Sequence, residues 1–150
     1  MKKVVFVCTG NTCRSPMAAA LTNHLFERRG ITNAAASSCG IFAMEGAKVS
    51  KNAAAVLNQW CGIDISEHEA KMASEAILED AHIIIAMTMG HKNHLCALYP
   101  NYASRVYAIS EICPAGCDIE DPFGGDITAY KNCAGHIKMC IMSMKWEEYL

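Results

Sequence analysis

Cys8-Thr9-Gly10-Asn11-Thr12-Cys13-Arg14-Ser15 sets a cysteine and an arginine five residues apart, with Pro16 directly after. A loop that runs into a helix N-terminus turns successive backbone N–H groups inward, and with the helix dipole these form a concavity for a tetrahedral anion. Gly10 offers backbone dihedrals closed to other residues, Asn11 can hold the loop through its side-chain amide, and Arg14 presents a planar fork of donors for two phosphate oxygens. Thr9, Thr12, Cys13 and Ser15 complete this phosphate cradle. The same positive field is expected to bring the Cys8 thiol below its ordinary pKa of about 8.5, and Ser15 can donate to the thiolate. A thiolate at the base of the cradle is placed to attack phosphorus in line, giving a phosphocysteine that water later hydrolyses. Arg14 and the amides would carry the equatorial charge, so no metal or cofactor is required. The plainer reading makes Cys8 a buried strand-end thiol and Arg14 a surface ion-pair residue. The Gly, Asn, Ser and Pro fall where a strand-loop-helix cradle needs them and favour the phosphate site.

Breaking a phosphate ester or phosphoramidate needs a proton on the leaving atom, and a carboxylic acid on an opposing loop can supply it. Asp121, stiffened by Pro122 and followed by Phe123-Gly124-Gly125, is the candidate; alone it would read as an ordinary turn aspartate, but the cradle upstream gives it a partner. Asp126, just before Ile127, is expected to cap a helix and is left out of the site. Cys13 lies five residues from Cys8, close enough across a curled loop for a disulfide on oxidation; a packed thiol without a role is the alternative.

The elements that must position these residues alternate along the chain. Lys3 to Val7 predicts a strand, and Ser15-Pro16 a cap and first helical residue for a helix ending near Gly30, with Met17, Leu21 and Leu25 as a buried stripe. Residues 34–38 suggest a second strand weakened by alanine. Ser50 is expected to cap a helix in which Ala53, Leu57 and Trp60 share a face, closed by Gly62. His82 to Met87 contains Ile83-Ile84-Ile85, a run suited to a parallel strand covered on both faces, and Thr88 caps a helix ending before Tyr99-Pro100. Arg105 to Ile109 gives a fourth strand. From Asp126, positions Ile127, Tyr130, Ala134, Ile137, Ile141 and Met144 predict a long closing amphipathic helix. This alternation implies an α/β sandwich, whose ligands bind beyond the carboxyl ends of the strands, where the loop after strand one lies.

The chain has 150 residues, the length of one compact domain, and residues 1–150 show no repeat or linker that would divide them. It is 52% hydrophobic and 19% charged, without an apolar run long enough to cross a bilayer. The basic start followed by Val4 to Val7 is too short for a signal peptide, so a cytoplasmic protein is expected. A net charge of −2 with no basic stripe speaks against nucleic acid, and a monomer is expected. Nine cysteines, an odd number without a repeating spacing, read as reduced thiols, mostly small buried hydrophobes. Cys113 and Cys117 lack the spacing and flanking ligands of a zinc site.

Val5 to Ala18, with its Cys8-to-Arg14 loop, resembles the opening of the low-molecular-weight protein phosphatases. The likeness continues through Ser38-Cys39-Gly40, Ala86-Met87-Thr88 and Asp121-Pro122-Phe123-Gly124-Gly125, most of the chain. The resemblance implies a three-layer sandwich with a four-stranded parallel sheet flanked by helices and a phosphate loop between strand one and helix one. It implies phosphorylated proteins or peptides as substrates, catalysis by Cys8, Arg14 and Asp121, with Asp121 as acid and then base for water, and a reversible Cys8–Cys13 pairing that protects the nucleophile.

Substrate choice turns on Thr12. Tyrosine-directed members of the family carry isoleucine there, whereas threonine resembles the bacterial protein-arginine phosphatases; its hydroxyl can order a polar guanidinium or the attacking water. Phe123-Gly124-Gly125, and Ala86-Met87-Thr88 with His91-Lys92, also look closer to the arginine branch. Against this, Ser66 to Lys71 is similar to a His-x-Ala-Arg segment of tyrosine-directed members, with lysine for the arginine; His68 reads as a structural histidine bracing the loop. Phosphoarginine is the favoured substrate and phosphotyrosine the alternative. Phe123 and Ile41-Phe42-Ala43 are expected to wall the pocket, with Phe42 alternatively in the core.

Two other enzymatic or carrier classes share such a loop. Thioredoxin-coupled arsenate reductases need relay cysteines on a mobile segment, which Cys96, Cys113 or Cys117 would have to supply. A phosphocysteine carrier would hold phosphate without hydrolysing it, and Arg14 with Asp121 argues for hydrolysis. A non-catalytic phosphate-binding module would leave both nucleophile and acid without use.

Overall fold

The computed structural model describes residues 1–114 and 116–150. Four strands, β1 (Lys2–Cys8), β2 (Ala34–Gly40), β3 (Ile83–Ala86) and β4 (Val106–Ala108), form one sheet in the order β2-β1-β3-β4, with every pair parallel. The helices are α1 (Arg14–Arg29), α2 (Lys51–Cys61), α3 (Glu75–Asp80), α4 (Met89–Leu98), α5 (Ile109–Ile112) and α6 (Ile127–Ser143), with short 3-10 turns at Pro100–Arg105 and Trp146–Glu148. This is the expected α/β architecture.

The central strand β1 is apolar at every position from Val4 because both its faces are covered. Val4, Phe6 and Cys8 face one core with Met17, Ile137 and Trp146, while Val5 and Val7 face the other with Leu78, Ile84 and Leu95. From β1 the chain moves outward to β2 and then returns to place β3 on the opposite side of β1. The strand order therefore reverses at β1, and the loop leaving its carboxyl end opens where ligands of such sheets bind.

Several local expectations change. Helix α1 begins at Arg14, one residue before the anticipated cap, and Cys13 occupies the cap position without a side-chain cap bond. The Ser15 hydroxyl is thereby released for the site. Helix α1 ends at Gly30 as expected, and both Gly30 and Gly62, the latter expected to do so, close their helices in the left-handed conformation. Ser50 makes no side-chain cap bond, and Trp60 is 53% exposed although Ala53 and Leu57 on its helix are buried. The Lys131 ammonium lies 3.6 Å from the centre of the Trp60 ring, which lets the indole stay at the surface. Thr88 and Asp126 do cap α4 and α6, accepting from His91 N and Ala129 N. Ile127 is 42% exposed rather than part of the buried stripe. Ile109 starts α5 instead of ending β4.

Candidate active site

The loop between β1 and α1 has its carbonyls occupied from outside. Cys8 O accepts from Ile41 N at 2.9 Å, Thr9 O from Phe42 N at 2.9 Å and Thr12 O from Ser50 N at 2.9 Å. Asn11 O accepts from His68 Nε2 at 2.8 Å, so His68 braces the loop, the role expected for it. With the carbonyls turned away, the amides are left for an anion. Among the described residues no backbone carbonyl receives the amides of Gly10, Thr12 or Cys13.

Asn11 is the fastening point. It is fully buried, has φ 56°, and is the non-glycine residue in the left-handed region among those described. Its Nδ2 donates to Ser15 Oγ at 2.8 Å and Ser38 Oγ at 2.9 Å, and its Oδ1 accepts from Lys71 N at 2.9 Å. The unusual conformation falls on Asn11 rather than on Gly10, which was expected to supply it; three side-chain bonds hold the strain in place. Glycine is required instead at position 40, in β2, where a Cβ would meet Thr9 O at 2.5 Å and Asn11 N at 3.0 Å.

Cys8 Sγ sits at the base, 2.8 Å from Ser15 Oγ. Burial pushes its thiol up, against the Ser15 hydroxyl, the Ser15 and Asn11 amides and the Arg14 charge, all of which favour the thiolate. The net direction is upward, which corrects the expectation of a depressed pKa: sequence displays the donors but not the desolvation of a nearly inaccessible sulfur. Cys39 behind it and Cys133 are also raised by burial, each to about 12, and remain thiols.

The buried Arg14 guanidinium is aimed by Nη1 donating to Ile119 O at 2.9 Å, with Nη2 3.5 Å from Thr9 Oγ1 and 3.6 Å from Asp121 Oδ2. Asp121 is half-exposed on a turn where its Oδ1 accepts from Phe123 N at 3.0 Å. Ile119 N in turn donates to Met87 O at 3.0 Å, tying this loop to the end of β3. Residues 8–14, Asp121 and Phe123 enclose a cleft of about 210 Å³. The residues expected for catalysis and phosphate binding thus converge, with Ser15 beneath the sulfur and Thr12 half-buried in the wall, whereas Ile41, Phe42 and Ala43 do not line the cleft.

Phe42 does not join them. It is exposed and tilted against His94 with ring centroids 5.0 Å apart, while Ile41 is buried and Phe123 is the aromatic wall of the cleft. Cys13 Sγ is 3.4 Å from the Tyr130 hydroxyl, whose pKa is pushed up to about 12 by burial and by that contact. Among the described residues no group of three His, Cys, Asp or Glu side chains is arranged to hold a metal ion.

Two residues reach the site that the sequence does not place there, His91 serving in the sequence only as a mark of the arginine branch. His91 Nε2 lies 2.9 Å from Thr9 Oγ1, and Tyr130, expected only as core, reaches Cys13. The position of His91, three residues after the Thr88 cap and just past the end of β3, was the available signal, because that sheet edge is the one that carries the cradle.

A buried cysteine at the base of a cleft, with a guanidinium and a carboxyl across it, is the arrangement expected of a cysteine-based phosphatase. Residues 3–146 match the model of the low molecular weight phosphotyrosine protein phosphatases, and the chain belongs to that family. It is 35% identical over 140 residues, 93% of this chain and 90% of the relative, to a protein-arginine-phosphatase of Geobacillus stearothermophilus. It is 34% identical over 129 residues, 86% of each chain, to the low molecular weight protein-tyrosine-phosphatase PtpB of Staphylococcus epidermidis. A crystal structure of a low molecular weight protein tyrosine phosphatase from T. tengcongensis superposes with a TM-score of 0.92 at 40% identity, covering 100% of both chains.

Proposed function

We propose that this protein phosphatase acts on phosphoarginine in proteins, with Cys8 as nucleophile, Arg14 as clamp and Asp121 as acid and base. In the first step Cys8 Sγ forms a bond to phosphorus as the phosphorus–nitrogen bond breaks, and the Asp121 proton goes to the leaving guanidine nitrogen. Arg14 and the loop amides hold the three equatorial oxygens, whose charge they match in the transition state. In the second step Asp121, now a carboxylate, takes a proton from the water that attacks the phosphocysteine, releasing phosphate and the Cys8 sulfur. Cys13, on the same loop, is the thiol available to Cys8 on oxidation.

The observation that carries the arginine reading is Thr12 in the wall of the cleft, which sets a hydroxyl where isoleucine would set an apolar side chain. The similarity to a protein-arginine-phosphatase supports it. Phe123, an exposed aromatic at the mouth, favours the second reading, phosphotyrosine, as does the similarity to a tyrosine phosphatase. The deciding experiment is the ratio of kcat/KM for a phosphoarginine peptide to that for a matched phosphotyrosine peptide, in the wild type and in Thr12→Ile under reducing conditions. A phosphoarginine preference that collapses in Thr12→Ile is expected. A phosphotyrosine preference in the wild type would leave the mechanism standing and remove the arginine assignment.

A further inference from the structure

Away from the cleft, α1, α2 and α6 frame a second cavity of about 430 Å³ that shares no residue with the cradle. Its apolar surface includes Leu25, Ile141, Met142 and Trp60, the last two about half-exposed. Four basic side chains surround it: His24, Arg28 and Arg29 from α1, and Lys138 from α6. No carboxylate lines it. Arg29 Nη2 donates to Met142 O at 3.1 Å and so ties the two helices along one edge. His24, Arg28 and Lys138 have neither an ion pair nor a hydrogen bond among the described residues.

Favourable placement at the carboxyl end of α1 accounts for Arg28 and Arg29, which lie in its last turn. It does not account for Lys138, which comes from another helix and faces the same concavity. Unpaired cations of one sign around an apolar hollow leave a repulsion that a bound anion would relieve. A concave, mostly apolar site of a few hundred Å³ with a few convergent polar groups is the general form of a small-molecule site.

The geometry points to a binding site for a small amphipathic organic anion, its apolar body against Trp60, Leu25 and Met142 and its carboxylate between Arg28 and Lys138. Such a ligand bridges α1, whose first residue is Arg14, to α6, which carries Tyr130 onto Cys13. It therefore binds the layer that supports the cradle without entering it.

Decanoate, kept below its micelle concentration, is the probe. The chain has two tryptophans, Trp60 at this site and the buried Trp146, so intrinsic fluorescence reports the site and Trp60→Phe identifies the signal. The expected result is a saturable change with decanoate that decanol does not reproduce and that saturating inorganic phosphate does not displace. Arg28→Gln/Lys138→Gln should weaken decanoate at least about tenfold, the effect of removing charge-assisted contacts, with turnover of an activated aryl phosphate unchanged. The milder single variant Lys138→Gln, which leaves α1 intact, should weaken it in the same direction. Equal binding of decanol and decanoate, undiminished binding in both variants, or displacement by phosphate would overturn the assignment. So would binding to anionic phospholipid vesicles with no binding of decanoate. Because the readout is fluorescence and not catalysis, these outcomes are independent of the substrate assigned to the cleft.

Discussion

Arg14 Nη2 stands 3.6 Å from Asp121 Oδ2, and the carbonyl that fixes the same guanidinium belongs to Ile119, two residues before that aspartate. The clamp and the candidate acid are therefore not independent parts. The loop that presents Asp121 is held to the β1–α1 loop by Arg14, the proposed clamp, and to β3 by the Ile119–Met87 backbone bond.

Removing the sulfur and removing the acid should give different signatures. Cys8→Ser should abolish turnover while phosphate still binds. Asp121→Ala should slow a phosphopeptide by about 10²–10⁴-fold and an activated aryl phosphate far less, since only the former needs a proton on its leaving atom. Equal slowing of both substrates would show that Asp121 is not the acid.

The Cys8 thiol is raised by burial and lowered by the Ser15 hydroxyl before any other group. Rate should therefore climb with pH as the sulfur ionises, and Ser15→Ala, by deleting a group that favours the thiolate, should move the acid limb of kcat/KM to higher pH. Iodoacetate labelling of Cys8 against pH reads the same ionisation directly; an unmoved limb in the variant would detach Ser15 from it.

Asn11 combines a left-handed backbone with three side-chain hydrogen bonds. Asn11→Ala leaves buried groups unpaired and keeps the strain, so a loss of roughly 3 kcal/mol in urea unfolding is expected. Asn11→Gly should recover part of the loss by removing the strain alone. A loss confined to activity, with unchanged stability, would contradict the fastening role.

A side chain at position 40 must push on the backbone of the phosphate loop, since a Cβ there would lie 2.5 Å from Thr9 O. Gly40→Ala should cost about 1–3 kcal/mol and weaken competitive inhibition by phosphate. Inhibition constants and urea midpoints measured together would show both effects, and wild-type values for both would mean that β2 gives way instead.

His91 is held near a pKa of about 4 by burial first and by Arg14 second, against an ordinary 6.5. Between those values the unfolded chain binds more protons than the folded one, so stability rises with pH there: the contribution is complete above 6.5 and is lost as pH falls toward 4. Urea midpoints at pH 7 and pH 5 should differ more in the wild type than in His91→Gln. An identical drop in both would exclude His91 as its source.

The sequence made the sheet, the cradle and the acid loop legible because each has a local mark: a β-branched run, a Cys-to-Arg spacing set between a strand and a helix, an Asp-Pro turn. It did not show what depends on chain crossing. The direction of the Cys8 shift required its burial, and the contacts of His91 with Thr9 and of Tyr130 with Cys13 join residues 82 and 117 positions apart. Trp60 was misplaced for a related reason: its spacing fits a buried face, but Lys131, from a distant helix, covers its ring at the surface. Phe42 likewise follows the loop that caps Thr9 O, and its ring goes to His94 rather than into the cleft.

The outward carbonyls of the loop also separate the holding of phosphate from the choice of what carries it. The carbonyls of the loop are held from outside by Ile41 and Phe42 just beyond β2, by Ser50 just before α2 and by His68, and the side turned toward the cleft is left for the phosphoryl group. Under the proposed mechanism the buried machinery is thus indifferent to what the phosphate was attached to, and discrimination rests with Thr12 and Phe123 at the entrance. Under that mechanism a change at one entrance residue alters which phosphorylated group is accepted and leaves the chemistry of the cradle intact.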